Sequence, residues 1–181
     1  DKTGTQVVGG DIARASAISI AMTAIGSVED AITRAGARVG DGVYISSLTG
    51  WSAAGLHMLT HDIEAVHAVH AMALNEFRAP SLDYGIDFTR ANALTDTSDA
   101  LLISCQSIAE ASGVNLYIDP ALIESAYEFK ELSLLAQSLG VDVFEWILGG
   151  GEDHVFLATG IDLPGIRIGE VGLSLIHISE P

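Results

Sequence analysis

The chain has 181 residues, 24 of them acidic and 8 basic, for a formal net charge of −16, and 49% are hydrophobic. That length and apolar content imply a packed core, in one sizeable domain or one domain plus part of another, and exclude a disordered chain. The acidic balance argues against nucleic acid or an anionic membrane as partner, since either needs a basic face. It leaves room for a nucleotide bridged to carboxylates by divalent cations.

In chain order, Val7-Val8 reads as a strand that ends in Gly9-Gly10-Asp11. The glycines make either a plain tight turn or a close approach of backbone to a ligand. Ala17–Gly26 alternates Ile18, Ile20 and Met22 against Ser19, Ala21 and Thr23, the pattern of a half-buried strand. Residues 30–42 hold Arg34 and the glycines Gly36, Gly40 and Gly42, and read as a connector between domains. Arg34 is either a polyanion contact or a solvated surface cation. A short strand is expected at Val43–Ser46, then a turn at Leu48-Thr49-Gly50 and a helix over Ser52–His61, with Ala53-Ala54-Gly55 permitting close packing. A second helix is predicted over Ile63–Phe77, closed by Pro80. His57 and His61 have the spacing of HExxH zinc helices, but the sequence is HMLTH, without the glutamate, and solvated histidines are expected. Leu82–Ala93 carries no clear pattern.

The central stretch is Leu94–Ala111, LTDTSDALLISCQSIAEA. Leu101, Leu102, Cys105, Ile108 and Ala109 fall on one helical face. Asp96, Ser98 and Asp99 are thereby placed at the helix N-terminus, where free N–H groups and the helix dipole point. Such carboxylates cap the helix or hold hard cations; the stretch alone favours capping. Cys105, the single cysteine, excludes an internal disulfide, reads as a core residue and makes a cytosolic location the expectation. No signal peptide is visible, and no apolar run reaches membrane-spanning length.

Gly113 terminates this helix, and Val114–Ile118 is a strand stopped by Asp119-Pro120. One or two helices follow over Ala121–Gly140, with Leu132, Leu135, Ala136 and Leu139 on one face, and a short helix over Val143–Leu148. Gly149-Gly150-Gly151-Glu152-Asp153 then precedes a strand at His154–Thr159. This is an open loop, either wrapped on a ligand or flexible. Neither GxxxxGK[ST] nor GxGxxG nor GxSxG occurs, so any phosphate chemistry must run through aspartates and metal ions. Leu173–Pro181, LSLIHISEP, breaks the preceding pattern and is set aside as a read-through tail. The chain begins at Asp1 without methionine, and an internal piece of a longer protein is expected.

Four stretches stand in order: VVGGD (7–11), AITRAGARVGDGVYIS (31–46) with SAAGL (52–56), LTDTSDALL (94–102) and GGGEDHVFLAT (149–159). Together they resemble thiamine-monophosphate kinase, of the aminoimidazole ribonucleotide synthetase-like ATP-binding superfamily, over roughly residues 5–172. The resemblance implies an α/β (α+β) fold, a mixed sheet packed with helices. Residues 1–34 would end the N-terminal domain, 35–172 would form most of a PurM-like C-terminal domain, and 173–181 would be the tail. It implies ATP-dependent phosphorylation of thiamine phosphate to thiamine diphosphate, with several Mg²⁺ ions. By position, Gly10, Arg34 and Ser98 would contact ATP; Asp11, Asp96 and Asp99 would hold Mg²⁺; Glu152 would meet the thiamine phosphate. A cytoplasmic homodimer is implied for the full-length protein, with the chain by itself inactive. The alternatives are a purine-intermediate ligase of the same superfamily, or a catalytically silent nucleotide- or metal-binding module. Trp51, Ala100, His154 and Val155 depart from the family pattern, which has Asp, Gly, Tyr and Glu there.

Overall fold

The structure, a computed structural model, describes residues 5–82 and 85–173. It divides into two compact units, Asp1–Ala31 and Ile32–Pro181. Residues 5–31 form no helix or strand. The strands expected at Val7-Val8 and Ala17–Gly26 are therefore not formed, and Ile18, Ile20 and Met22 are 95%, 82% and 91% exposed. Alternation marks two faces of an extended chain, but a strand exists only through hydrogen bonds to a neighbour.

The second unit is built on a five-stranded sheet. Its strands are β1 (Gly42–Ile45), β2 (Ala93–Asp96), β3 (Val114–Ile118), β4 (Phe156–Gly160) and β5 (Ile166–Leu173), in the order β2-β4-β1-β5-β3. The sheet expected as mixed is antiparallel in all four described pairings. Residue patterns report which face is buried and not which way a neighbour runs. The helices are α1 (Trp51–Thr60), α2 (Ala68–Arg78), α3 (Leu101–Ser112), α4 (Pro120–Glu124), α5 (Phe129–Leu139) and α6 (Val143–Gly149). None is long and apolar enough by itself to cross a membrane, among the described residues.

Every residue of β1 is buried. Val43 and Ile45 join the main core with Leu101, Ile108, Leu132, Ile147, Leu157 and Ile168, while Tyr44 packs with Phe88, Ala158 and Leu163 in a second, smaller cluster. A strand covered on both faces reads as a continuous apolar run, as Val43-Tyr44-Ile45 does.

The helix ends follow local chemistry. α3 stops at Gly113, which takes the left-handed conformation (φ 67°) that a side chain disfavours. α4 starts at Pro120, and the Asp119 carboxylate accepts from the Ala121 N–H. α2 starts later than predicted, after an extended His67. The residues before it are spent reversing the chain after α1, through Asp62 at φ 53°. Gly55 lets α1 approach α2, since a Cβ there would collide with the Ala73 carbonyl.

The central stretch is corrected most. It is strand, then loop, then helix: Asp96 ends β2, Ser98 and Asp99 lie in the following turn, and α3 begins after Ala100, with no side-chain cap. The capping reading therefore fails. Leu102, expected on the buried face, is 50% exposed, while Ser104 takes a place in the interior beside Leu101, Cys105 and Ile108. Cys105 is buried, and burial pushes its thiol up to about 12. Leu173, assigned to the tail, is the last residue of β5 and pairs with Val114; residues 174–181 lie outside the described residues.

Candidate active site

β4 carries β2 along one edge, with Asp96 opposite Phe156. This pairing brings the turn after β2 against the loop that precedes β4. The Thr97 N–H and Oγ1 both donate to the Val155 carbonyl, at 2.8 and 3.0 Å. The Glu152 N–H donates to the Ser98 carbonyl at 2.8 Å. Gly151 faces the Ser98 and Asp99 backbone, 3.2 Å from where its Cβ would stand. The glycine-rich loop and the DTSD turn, 50 residues apart in sequence, thus form one wall.

Along that wall Asp96, Asp99 and Glu152 are exposed and Ser98 is half-buried. Among the described residues, the Asp96 and Asp99 carboxylates make no hydrogen bond or ion pair; Glu152 lies 3.7 Å from His154 Nε2. Arg34 reaches the neighbouring, buried position of β2, its Nε donating to Thr95 Oγ1 at 3.0 Å. Four sequence-predicted residues of the second unit (Asp96, Ser98, Asp99 and Glu152) therefore line one wall, while Arg34 bonds Thr95, the residue before Asp96 in β2. Gly10 and Asp11 lie in the first unit, both exposed, where the Asp11 carboxylate accepts its neighbour's N–H, from Ile12 at 2.8 Å. No three His, Cys, Asp or Glu side chains among the described residues are gathered closely enough to hold a metal ion.

Beside the loop lies a cleft of about 400 Å³, between α1, α6 and Gly149–Glu152, with Trp146, Leu56 and His57 on its walls. His57 stacks on His61 at 4.2 Å and lies 5.6 Å from Trp146. Burial, and then the neighbouring His61, hold the His57 imidazole below its ordinary value of 6.5.

Sequence reasoning passed over Asp153. Its carboxylate is buried and accepts the Gly50 N–H at 2.7 Å and the Ser52 N–H at 2.8 Å, so it caps α1 from a distant loop. A signal existed: α1 opens Gly50-Trp51 with no cap residue of its own, so its first N–H groups need an acceptor from elsewhere. Burial raises the Asp153 carboxyl above 3.8 and the Glu76 charge pushes the same way, against the bonds from Gly50 and Ser52. The native state then keeps this proton to higher pH than the unfolded chain does. Stability from this group accordingly declines as pH rises from 3.8 through the raised folded value. Unfolding free energies of the native protein minus those of Asp153→Asn are expected to fall across that window in urea titrations; a flat difference would contradict it.

No family model matches the chain. Its similarity is to individual proteins. It is 37% identical over 177 residues to thiamine-monophosphate kinase of Corynebacterium glutamicum, covering 92% of this chain and 53% of that protein. It is 35% identical over 173 residues to the Archaeoglobus fulgidus protein of the same name, covering 94% and 54%. Among solved structures, AaThiL complexed with AMPPCP and TMP superposes with a TM-score of 0.68 at 29% identity, over 79% of this chain and 48% of that one. The hydrogenase maturation protein HypE shares the fold alone, at 16% identity and a TM-score of 0.54. The fold and the acidic wall thus define a PurM-like α/β class. Within that class the chain resembles thiamine-monophosphate kinases, and it spans about half the length of the curated relatives it matches.

Proposed function

We propose that the protein carrying this chain transfers the γ-phosphoryl group of ATP to thiamine phosphate, forming thiamine diphosphate and ADP. The observation that carries this is the single wall formed by the GGED loop and the DTSD turn, with Asp96 and Asp99 exposed and, among the described residues, unpaired. The names of the relatives, and the AMPPCP and TMP bound by AaThiL, support ATP and thiamine phosphate as the substrates.

The donor set suits Mg²⁺, which takes hard oxygen ligands and keeps several waters. Asp96 and Asp99 would hold it, with waters and phosphate oxygens completing its shell. Bound there, Mg²⁺ would neutralise charge on two polyanions that otherwise repel. Arg34 and Ser98 would hold ATP, and Glu152 would orient the thiamine phosphate. A phosphate oxygen of the acceptor attacks the γ-phosphorus, and the bond from that phosphorus to the β,γ-bridging oxygen breaks. The attacking oxygen is already ionised near neutral pH, so positioning and charge neutralisation suffice without a strong general base. A cytoplasmic homodimer suits this reading.

The test is to supply the full-length protein with ATP, Mg²⁺ and thiamine phosphate. Thiamine diphosphate and ADP are expected in equal amounts. ATP consumption without thiamine diphosphate, or no turnover, would overturn the reading.

A further inference from the structure

The loop that carries Glu152 is one that should not hold its shape unaided. Three consecutive glycines precede it, and Glu152 and His154 both adopt left-handed conformations, φ 67° and 51°, which side chains disfavour. Such backbone persists only when its surroundings over-determine it.

The surroundings do so through α1. The Asp153 carboxylate takes the Gly50 and Ser52 N–H groups, and Ser52 Oγ donates back to the Glu152 carbonyl at 2.9 Å. The same hydroxyl lies 3.1 Å from the Glu76 carbonyl on α2, so the helix pair and the loop meet at one atom. The Glu152 N–H is tied on its other side to Ser98. Backbone on both sides of Glu152 is held, while its side chain is left 68% exposed on the acidic wall. Residue 50 cannot supply this cap as Asp119 and Asp142 do for α4 and α6, because Gly50 is left-handed (φ 105°) and a Cβ there would crowd the Trp146–Ile147 backbone. Supplying it from residue 153 locks the loop to the helix.

We propose that Asp153 is a positioning residue for the acceptor substrate, acting through Glu152, with the Ser52 hydroxyl as its second anchor. The inference rests on the reading that Glu152 meets the thiamine phosphate. Loosening the clamp lets the Glu152 carboxylate wander while Arg34 and Asp96, which have other partners or none among the described residues, stay in place. Misplacement by 1 Å costs on the order of 10²-fold in well-oriented sites, and partial loosening here is expected to cost about tenfold.

The experiment uses the full-length protein and the variants Asp153→Asn, Ser52→Ala and Glu152→Gln. Asp153→Asn is expected to raise KM for thiamine phosphate about tenfold while KM for ATP stays within about twofold. Ser52→Ala, which leaves the Asp153 cap in place, moves the same quantity less. The double variant Asp153→Asn/Glu152→Gln is no worse for thiamine phosphate than Glu152→Gln alone, because the two act in series. Amide exchange at Gly151–His154 rises at least about tenfold in Asp153→Asn, with α3 and α5 unchanged. Both KM values rising together, additive effects in the double variant, or unchanged exchange in the loop would each overturn the proposal. If Asp153→Asn does not fold, Ser52→Ala decides by the same KM and exchange readouts. A native protein that makes no thiamine diphosphate would refute the functional reading, and the exchange measurement would still decide whether Asp153 holds the loop.

Discussion

Asp96→Asn in the full-length protein is expected to lower kcat/KM for thiamine diphosphate formation by about 10²–10³-fold, with the fold unchanged. The size follows from what the residue would supply. Fixed charge aimed at a transferring phosphoryl group is the largest contribution such a site makes, and losing one element of it costs roughly 3–4 kcal/mol of transition-state stabilisation. The sparing of the fold follows from the geometry. The Asp96 side chain is exposed and has no partner among the described residues, so nothing internal is lost with its charge. Exposed substitutions of that kind usually move stability by less than about 0.5 kcal/mol. The measurement is steady-state turnover beside a urea unfolding curve. Near-native turnover would remove Asp96 from the proposed metal site; a collapse of stability would show that the residue is structural.

Leu157→Ala is expected to be the costliest single change in the sheet, at about 2–5 kcal/mol. Leu157 is fully buried in β4, opposite Ile45 on one side and Thr95 on the other. Cutting it to alanine removes apolar contact and leaves a cavity that a strand paired on both sides cannot collapse to fill. A domain is stable by only about 5–15 kcal/mol, so this is a large share of the total. The same strand holds β2, and so Asp96, in register. Activity should then fall together with the urea midpoint, unlike in Asp96→Asn. Leu157→Met, which nearly conserves volume, should cost less than about 1.5 kcal/mol. A cost for the alanine variant near that of methionine would contradict the packing described.

Much of the second unit was written in local signals. Gly113 and Gly140 end helices by backbone conformation, Asp119-Pro120 starts one, and Leu132, Leu135 and Ala136 share the predicted buried face. The strand Val114–Ile118 has the predicted bounds. These features depend on residues within a few positions of one another, and a single sequence reports them directly. Two strands did not announce themselves. β2 is four residues long and runs straight into the DTSD turn, so its residues resemble a helix start. β5 is interrupted by Gly169 and Gly172, which lie against Tyr117 where no Cβ would fit. The reverse error fell on Ala17–Gly26, where alternation promised a strand and none is formed.

The candidate site divides the same way. The resemblance to thiamine-monophosphate kinase brought Asp96, Ser98, Asp99 and Glu152 forward by position, whereas the residues alone favoured helix capping for the first three. Their meeting was decided by tertiary structure: the antiparallel pairing of β2 with β4 sets Asp96 opposite Phe156 and lays residue 152 on residue 98. The role of Asp153 belongs wholly to that level. In sequence it is the second of two adjacent acids; in the fold its neighbour reaches solvent while it turns inward to a helix start about 100 residues away. Buried N–H groups must find acceptors wherever the chain can supply them. Which acceptor answers depends on the packing of the whole unit, and no local pattern encodes it.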